Sequence, residues 1–204
     1  MKKFSFKFFK KFKFTKKRKL VASGVCLAII IISVGILGIV YRKSIASTAR
    51  EVIYVMRLPI EIKRFIALPP DETILIPVEG VGLEDITDTW HGARSEGRIH
   101  EGQDIFAETG TPIYSGTNGY VLAIRYNRLG GNTVTILGSG GRTYYYAHFD
   151  SVVPELDRLE YVTPETLLGY VGSTGNAILT PPHLHFGVYT REGAINPMPL
   201  LRDR

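Results

Sequence analysis

The chain has 204 residues and a formal net charge of +6, and residues 1–19 contain ten Lys or Arg and no acidic residue. The other 185 residues hold fifteen basic and nineteen acidic side chains, a net of −4, so the basic character belongs to the N-terminus and does not indicate a nucleic-acid-binding domain. The single cysteine, Cys26, excludes an intramolecular disulfide and a cysteine-based zinc site.

The first 41 residues predict a membrane-associated segment. In residues 1–19, phenylalanines lie between the basic residues. Such a mixture can bind single-stranded nucleic acid, but it is more typical of an anionic membrane surface. Residues 20–41 favour the membrane, because they are uncharged, rich in Ile, Val and Leu, and match the roughly 20 apolar residues that cross a bilayer. We therefore expect a basic cytoplasmic tail, then a transmembrane signal anchor, and no nucleic-acid partner.

The charges on either side of the apolar segment predict its orientation. Ten positive charges precede it, and Arg42 and Lys43 follow it. The positive-inside rule then keeps the N-terminus in the cytoplasm and exports the rest of the chain. The alternative is a signal peptide cleaved near Ala49, but the apolar run exceeds the roughly 7–15 residues of a signal-peptide core. The sequence predicts a single-pass anchor.

Residues 42–77 are expected to form a juxtamembrane helix and a linker. Apolar residues recur at near-helical spacing over residues 46–56. The Pro69-Pro70 pair ends this segment, since proline lacks an N–H donor and restricts the residue before it. Residues 73–78 favour a strand that leads into a folded domain, residues 78–204.

The segment 105–150 has the pattern of an antiparallel sheet. Short runs of β-branched and aromatic residues alternate with Gly-containing turns, so the predicted fold class is mostly β. Regular alternation of side chains over residues 144–149 would place Tyr144 and Tyr146 on the same face as His148, where they could line a groove. The residues between them would then face the core.

Residues 182–188, with the sequence PHLHFGV, predict a strand that has an unusual polar face. The apolar side chains share one face, whereas His183 and His185 share the other, with Cα atoms roughly 6.6 Å apart. Imidazole is the commonest neutral metal ligand, and its pKa lies near physiological pH. We interpret the pair as one metal ligand and one neighbouring acid–base group.

Two other segments supply partners for this pair. His100 and Asp104 are four residues apart and share a face in an extended chain, and His148 ends the tyrosine-rich strand. Two histidines, one carboxylate and a water form a catalytic zinc site with one open position. The remaining histidines would transfer protons. An HxxxD or an HxH is weak evidence alone, but both together with a third histidine between them are more specific.

Two polar residues before His100 have open interpretations. His91 either lines the groove or is an ordinary surface or packing histidine. Arg98 either orients a carboxylate of the substrate or pairs with an acidic side chain of the protein. The sequence is compatible with each.

Four segments together resemble a known family. The stretches GRIHEGQDIFAETGTPI, YYYAHF, GSTGNA and PPHLHFGV occur in the order typical of the lysostaphin/LytM-type metallopeptidases, the M23 peptidases, over about residues 78–201. The resemblance implies an antiparallel β-sheet domain of LytM/M23 type. It implies that one Zn²⁺ per domain is bound by His100, Asp104 and His185, and that catalysis is assisted by His148 and His183. The chain departs from the family pattern at residues 151–165, which contain no ligand position.

The resemblance also implies an activity and a location. The expected activity is a zinc metalloendopeptidase that hydrolyses peptide bonds in cross-links or stem peptides of peptidoglycan during cell-wall remodelling. A D-Ala to diaminopimelate cross-link is the default substrate. Such an enzyme meets the cell wall only outside the bacterial inner membrane, which agrees with a periplasmic or extracytoplasmic domain on an N-terminal anchor. The oligomeric state stays open.

Two other classes of protein are alternatives. One is a non-catalytic LytM-type regulator that activates another cell-wall hydrolase, although such proteins typically lose zinc ligands and none is lost here. The other is a biotinyl- or lipoyl-type carrier domain, which would need a modified lysine in a hairpin turn, and no lysine follows Lys63. The enzyme is the preferred interpretation.

Overall fold

The computed structural model describes residues 32–33, 52–53, 56–94 and 97–204. Leu58–Arg204 forms one compact unit. The predicted tail and nearly all of the predicted transmembrane segment lie outside the described residues. Within the described part of the chain, no helix has the length and apolar character needed to cross a membrane.

An α-helix, α1, covers residues 56–66, inside the segment predicted to be a juxtamembrane helix and linker. Leu58 is buried. The Phe65 ring meets the rings of Tyr120 and Tyr161 edge-on, with centroids 5.5 and 6.1 Å apart. The apolar side of the helix therefore packs on the folded unit.

The rest of the described chain is built from short strands, as the Gly-punctuated pattern predicts. The strands are β1 (Ile74–Leu75), β2 (Gln103–Phe106), β3 (Pro112–Tyr114), β4 (Gly119–Asn127), β5 (Gly131–Leu137), β6 (Thr143–Val152), β7 (Tyr161–Val162), β8 (Leu167–Val171), β9 (His183–Thr190), β10 (Gly193–Ile195) and β11 (Leu201–Arg202). Single 3-10 turns occur at Leu83–Asp85, Ser139–Gly141, Gly175–Ala177 and Met198–Leu200.

Nine of these strands form one antiparallel sheet, which confirms the predicted mostly β fold. Its main path runs β10-β9-β6-β5-β4-β7, with β2 beside β9, and β8 joining β6 to β3. Strand β9 is central for the site, because β6 pairs with one of its edges and β2 and β10 pair with the other. Strands β1 and β11 form a separate parallel pair.

The core lies under the apolar face of β9. Leu184, Phe186 and Val188 are fully buried, as the alternating pattern predicts. They join a cluster that includes Ile105 from β2 and Ile136 from β5. Burying such a side chain stabilises the fold by about 1.5–3 kcal/mol. The apolar face therefore holds the strand in place, and the histidines on the opposite face are not needed for the core.

The predicted facing of the tyrosine stripe on β6 is wrong. Tyr144 and Tyr146 are fully buried, whereas Tyr145 lines the open side of the sheet. The reason is a bulge near His148, where one more residue of β6 than of β5 lies between paired positions. His148 has a φ of +67°. The extra residue returns the His148 side chain to the face of Tyr145, which simple alternation does not anticipate.

The linker before β1 is fixed to the domain through Asp71. The Tyr144 hydroxyl donates a hydrogen bond of 2.6 Å to Asp71 Oδ2, and Arg142 donates one of 2.5 Å to the Asp71 carbonyl. Burial, reinforced by the Asp71 carboxylate, raises the pKa of Tyr144 well above its usual range. The phenol therefore stays protonated and acts as a donor.

Replacing Tyr144 by Phe should lower the free energy of unfolding by about 1–2 kcal/mol, since the ring is kept and one hydrogen bond to a carboxylate is lost. Urea unfolding of Leu58–Arg204 measures this. Tyr126→Phe is the matched control, because Tyr126 is 70% exposed, and it should change stability by less than about 0.5 kcal/mol. Equal stabilities for the two variants would refute the role of this hydrogen bond.

Candidate metal centre and active site

The pairing of β2 with β9 creates the centre of the site. Asp104 lies directly opposite His185 in the register of these strands. Asp104 Oδ1 is 3.1 Å from His185 Nδ1 and 3.0 Å from His100 Nε2. The two imidazole nitrogens are 2.8 Å apart. Two segments distant in the chain, one with His100 and Asp104 and the other with His185, thus direct three ligand atoms to a single point.

This donor set fits a zinc ion. A tetrahedral ion with bonds of about 2.0–2.1 Å requires ligand atoms about 3.3 Å apart, close to the observed separations. The potential ligand atoms of His100, Asp104 and His185 all lie within 4.8 Å of one another. A carboxylate oxygen and two imidazole lone pairs repel one another at this distance unless a proton or a cation lies between them. The chemistry of the donors therefore favours a divalent cation.

The loop before β2 fixes the orientation of these ligands. His100 Nδ1 donates to the Thr89 carbonyl at 2.7 Å, so Nε2 is left to face Asp104. Thr89 Oγ1 accepts the Asp104 N–H at 2.9 Å. The fully buried Gln103 holds the loop in turn, because its Oε1 accepts the Thr89 N–H at 3.2 Å. Such partners beyond the ligands set tautomer and ring orientation in metal sites.

The electrostatics of the centre favour the ligating forms. Burial alone would raise the pKa of the Asp104 carboxyl, but its contacts with His100, His185 and Arg94 hold this pKa well below its usual range. Burial lowers the pKa of His185, although Asp104 opposes the shift. Asp104 is therefore an anion and His185 tends to be neutral, the states that bind a metal.

His148 and His183 lie together beside the three ligands, with ring centroids 4.9 Å apart. His148 Nδ1 donates to the Thr174 carbonyl and His183 Nδ1 to the Pro181 carbonyl, both at 2.8 Å. In this tautomer the Nε2 of each ring is the free proton acceptor. The structure thus brings all five predicted site residues into one place.

His148 is held in its neutral form. Burial lowers the pKa of its imidazole, the hydrogen bond to the Thr174 carbonyl partly opposes the shift, and the neighbouring His183 and His185 add to it, so that the pKa is about 4. Thr174 is itself fixed, because its Oγ1 donates to the Phe149 carbonyl at 2.8 Å and accepts the Asn132 N–H at 3.0 Å. The ring is therefore a positioned base at neutral pH.

The five residues open into a cavity of about 660 Å³. One wall comes from the hairpin that carries Arg94, Arg98 and Ile99, and the opposite wall comes from the β4–β5 turn and the 3-10 turn with Asn176. Tyr145 and Tyr189 complete the lining. The centre is thus open on one side of the sheet.

Sequence reasoning missed three residues that support the centre: Arg94, Thr89 and Gln103. Arg94 Nη2 contacts Asp104 Oδ2 directly. An arginine and a threonine in a Gly-containing loop carry no spacing signal, so only the three-dimensional structure reveals them. Gln103 was detectable in principle, since a large amide within a buried strand requires partners.

The two residues with open interpretations now have positions. His91 is exposed, stacks on Trp90 at a centroid distance of 4.5 Å and does not line the cavity, in agreement with a surface role. Arg98 lines the cavity wall.

The fold and the site define a β-sheet domain with a His-Asp-His group that could hold a metal ion. Residues 98–197 match Peptidase family M23, so the chain contains a Peptidase M23 domain. Members of the family are zinc-dependent hydrolases that act on peptide bonds.

Individual relatives agree with this assignment. The L-Ala–D-Glu endopeptidase of Bacillus subtilis is 38% identical over 125 residues, which cover 56% of this chain and 38% of that protein. The catalytic domain of lysostaphin from Staphylococcus simulans superposes with a TM-score of 0.50 at 28% identity, covering 57% of this chain and 92% of that domain. A zinc-containing peptidase from Vibrio cholerae superposes with a TM-score of 0.52 at 25% identity, covering 63% and 39%. The chain thus spans less than two fifths of the Bacillus relative.

Gly102 lies where no side chain fits. A Cβ at this position would be 2.5 Å from His185 Cε1 and 2.9 Å from the Phe186 carbonyl. Gly102→Ala should therefore displace His185 and weaken zinc binding about 10- to 100-fold, as measured by competition with a chelating dye. Gly82→Ala is the control, because its nearest atom would be at 3.4 Å. Unchanged zinc affinity in Gly102→Ala would contradict this view of the site.

The lowered pKa of His148 predicts a pH-dependent stability. The folded pKa of about 4 lies below the ordinary 6.5, so the neutral ring stabilises the fold above pH 6.5 and this contribution is lost as the pH falls toward 4. In chelator-treated protein, His148→Gln should lose about 2 kcal/mol less stability than the wild type between pH 7 and pH 4.5. Urea unfolding at both pH values tests this, and equal losses would refute it.

Proposed function

We propose that the chain is a zinc metalloendopeptidase that hydrolyses peptide bonds of peptidoglycan. One observation carries the proposal: Asp104 Oδ1, His100 Nε2 and His185 Nδ1 converge within 3.1 Å of one another, in a cavity that also holds His148 and His183. A regulator of another hydrolase requires neither complete ligands nor two positioned bases. The relatives support peptidoglycan as the proposed substrate, since they include a peptidoglycan DD-endopeptidase of Vibrio cholerae.

Zinc bound by His100, Asp104 and His185 would supply Lewis-acid activation of a water and of the scissile carbonyl. The protein contributes the proton transfers. His148 and His183 each present Nε2 as an acceptor, because their Nδ1 atoms donate to main-chain carbonyls. One imidazole takes the proton of the attacking water on its Nε2, and the imidazolium so formed can pass this proton to the leaving amine. The other imidazole stabilises the developing oxyanion only in the form in which its Nε2 also carries a proton.

The N-terminal residues supply the proposed location. The uncharged segment 20–41 would anchor the chain in the bacterial inner membrane, and the ten basic residues before it would keep the N-terminus in the cytoplasm. The folded unit would then meet peptidoglycan outside this membrane. Protease added to cells that have lost their outer layers but keep an intact inner membrane should digest the folded unit and leave the N-terminus protected. Digestion of the N-terminus with protection of the folded unit would exclude this topology.

The decisive assay incubates the chain with zinc and purified cross-linked muropeptides, and separates the products by mass. Cleavage of a cross-link converts dimers into monomers with intact stems. Cleavage at L-Ala–D-Glu, the bond named for the Bacillus relative, instead releases the distal stem peptide. The two product patterns therefore identify the bond. Intact substrate despite confirmed zinc binding would favour the regulator.

Removing the metal or one ligand should abolish the reaction. We expect Asp104→Ala to lose zinc binding and to reduce activity at least about 1,000-fold, because the Lewis acid and the water it activates are both lost. Chelation of the wild-type protein should have the same effect, reversed by added zinc. Asp150→Ala is the matched control, since Asp150 is exposed. Activity in a zinc-free Asp104→Ala protein would eliminate the proposed mechanism.

A further inference from the structure

The two oxygens of the Asp104 carboxylate have different partners. Oδ1 faces His100 Nε2 at 3.0 Å and His185 Nδ1 at 3.1 Å. Oδ2 accepts a hydrogen bond from Arg94 Nη2. The Asp104 side chain is only 5% exposed, whereas that of Arg94 is 38% exposed. A buried carboxylate thus shares its charge between the ligand cluster and one guanidinium at the cavity wall.

A small hairpin brings Arg94 to this position. In the Arg94 hairpin, residues 91–94 and 97–100, Ala93 bridges to Ile99, and the Arg94 N–H donates to the Arg98 carbonyl at 2.9 Å. The last residue of the hairpin is His100, which is one of the three potential metal ligands. The position of its backbone is fixed, because its N–H donates to the Gly92 carbonyl at 2.9 Å. Backbone hydrogen bonds therefore fix both Arg94 and the ligand residue His100.

We propose that Arg94 is a positioning residue that makes Asp104 a ligand through one oxygen only. This inference rests on the proposed zinc site. A carboxylate free to rotate about its Cβ–Cγ bond can offer both oxygens to a cation. The guanidinium occupies Oδ2 with a charge-assisted hydrogen bond, which is stronger and more directional than a neutral one. Oδ1 is then the single oxygen that points between the two imidazoles.

Arg94 also sets how much negative charge the three potential ligands, His100, Asp104 and His185, carry together. An ion pair withdraws carboxylate charge toward the guanidinium, so Oδ1 donates less to a bound cation and the cation remains more electrophilic. Most charges of the folded unit are acidic, with eighteen Asp or Glu against eleven Lys or Arg in residues 58–204. The guanidinium of Arg94 beside Asp104 is therefore a local positive charge and not part of a generally basic surface.

A lysine would not replace this arginine fully. The planar guanidinium offers several N–H groups in a fixed arrangement, whereas an ammonium is a compact point charge on a flexible chain. Arg94 Nη2 contacts Oδ2, whereas the imidazoles of His100 and His185 contact Oδ1. The role depends on this geometry as well as on the charge.

The test compares metal binding by the full-length chain with Arg94, with Arg94→Gln and with Arg94→Lys. Arg128→Gln is the control, since Arg128 is an exposed arginine of the β4–β5 turn and does not line the cavity. Zinc affinity is measured by chelator competition. The visible spectrum of the cobalt-substituted protein reports the coordination number, because four-coordinate cobalt absorbs more strongly than five-coordinate cobalt.

We expect Arg94→Gln to bind zinc about 10- to 100-fold more weakly and to give a weaker cobalt spectrum, as a second oxygen joins the metal. The turnover number should fall more than KM rises. Arg128→Gln should match the wild type in each measurement. If Arg94→Gln does not fold, Arg94→Lys decides the question, and a changed cobalt spectrum is again the expected result.

Wild-type zinc affinity together with an unchanged cobalt spectrum in a folded Arg94 variant would overturn this inference, even if its thermal stability is reduced, because the arginine would then only hold the hairpin. A wild-type chain that binds no zinc would instead overturn the proposed function. The two failures are therefore distinguishable.

Discussion

Three hydrogen-bond acceptors placed at one buried point are the constraint on which the rest of the structure depends. A carboxylate oxygen and two imidazole nitrogens lie within 3.1 Å of one another, and like partial charges at such distances are unfavourable in a poorly solvated site. Protons can relieve the repulsion in the metal-free protein, and a divalent cation relieves it better. The surrounding fold must hold the three atoms in place against this repulsion.

The sheet and the loop before it share this task. Strand β9 is paired on both edges and buries one complete face, so His185 cannot withdraw without loss of core packing. Asp104 is held by the same ladder, and His100 is held by Thr89 through its Nδ1. A cation at this point would crosslink the hairpin, β2 and β9, so part of its binding energy would appear as stability of the fold.

Much of this site could be predicted from the sequence, because it depends on strand periodicity. The HxH spacing places His183 and His185 on one face of a strand, and both line the cavity from β9. Asp104 lies in β2, whereas His100 lies before that strand and meets Asp104 from the preceding loop. The facing of Tyr144 and Tyr146 could not be obtained in this way, since the bulge with His148 at positive φ interrupts the period. Arg94 was also inaccessible, because its partner lies ten residues away across a hairpin whose geometry no local pattern encodes.

The same bulge has a functional consequence that the regular pattern would have prevented. In an uninterrupted strand, His148 would share the face of Tyr144 and Tyr146 and would be buried among apolar residues with no proton to transfer. The extra residue returns it to the face of Tyr145, 4.9 Å from the ring of His183. A non-glycine residue at positive φ costs of order 1 kcal/mol, and here the cost places a base in the cavity. The irregularity in β6 is therefore as much a part of the site as the ligands on β2 and β9.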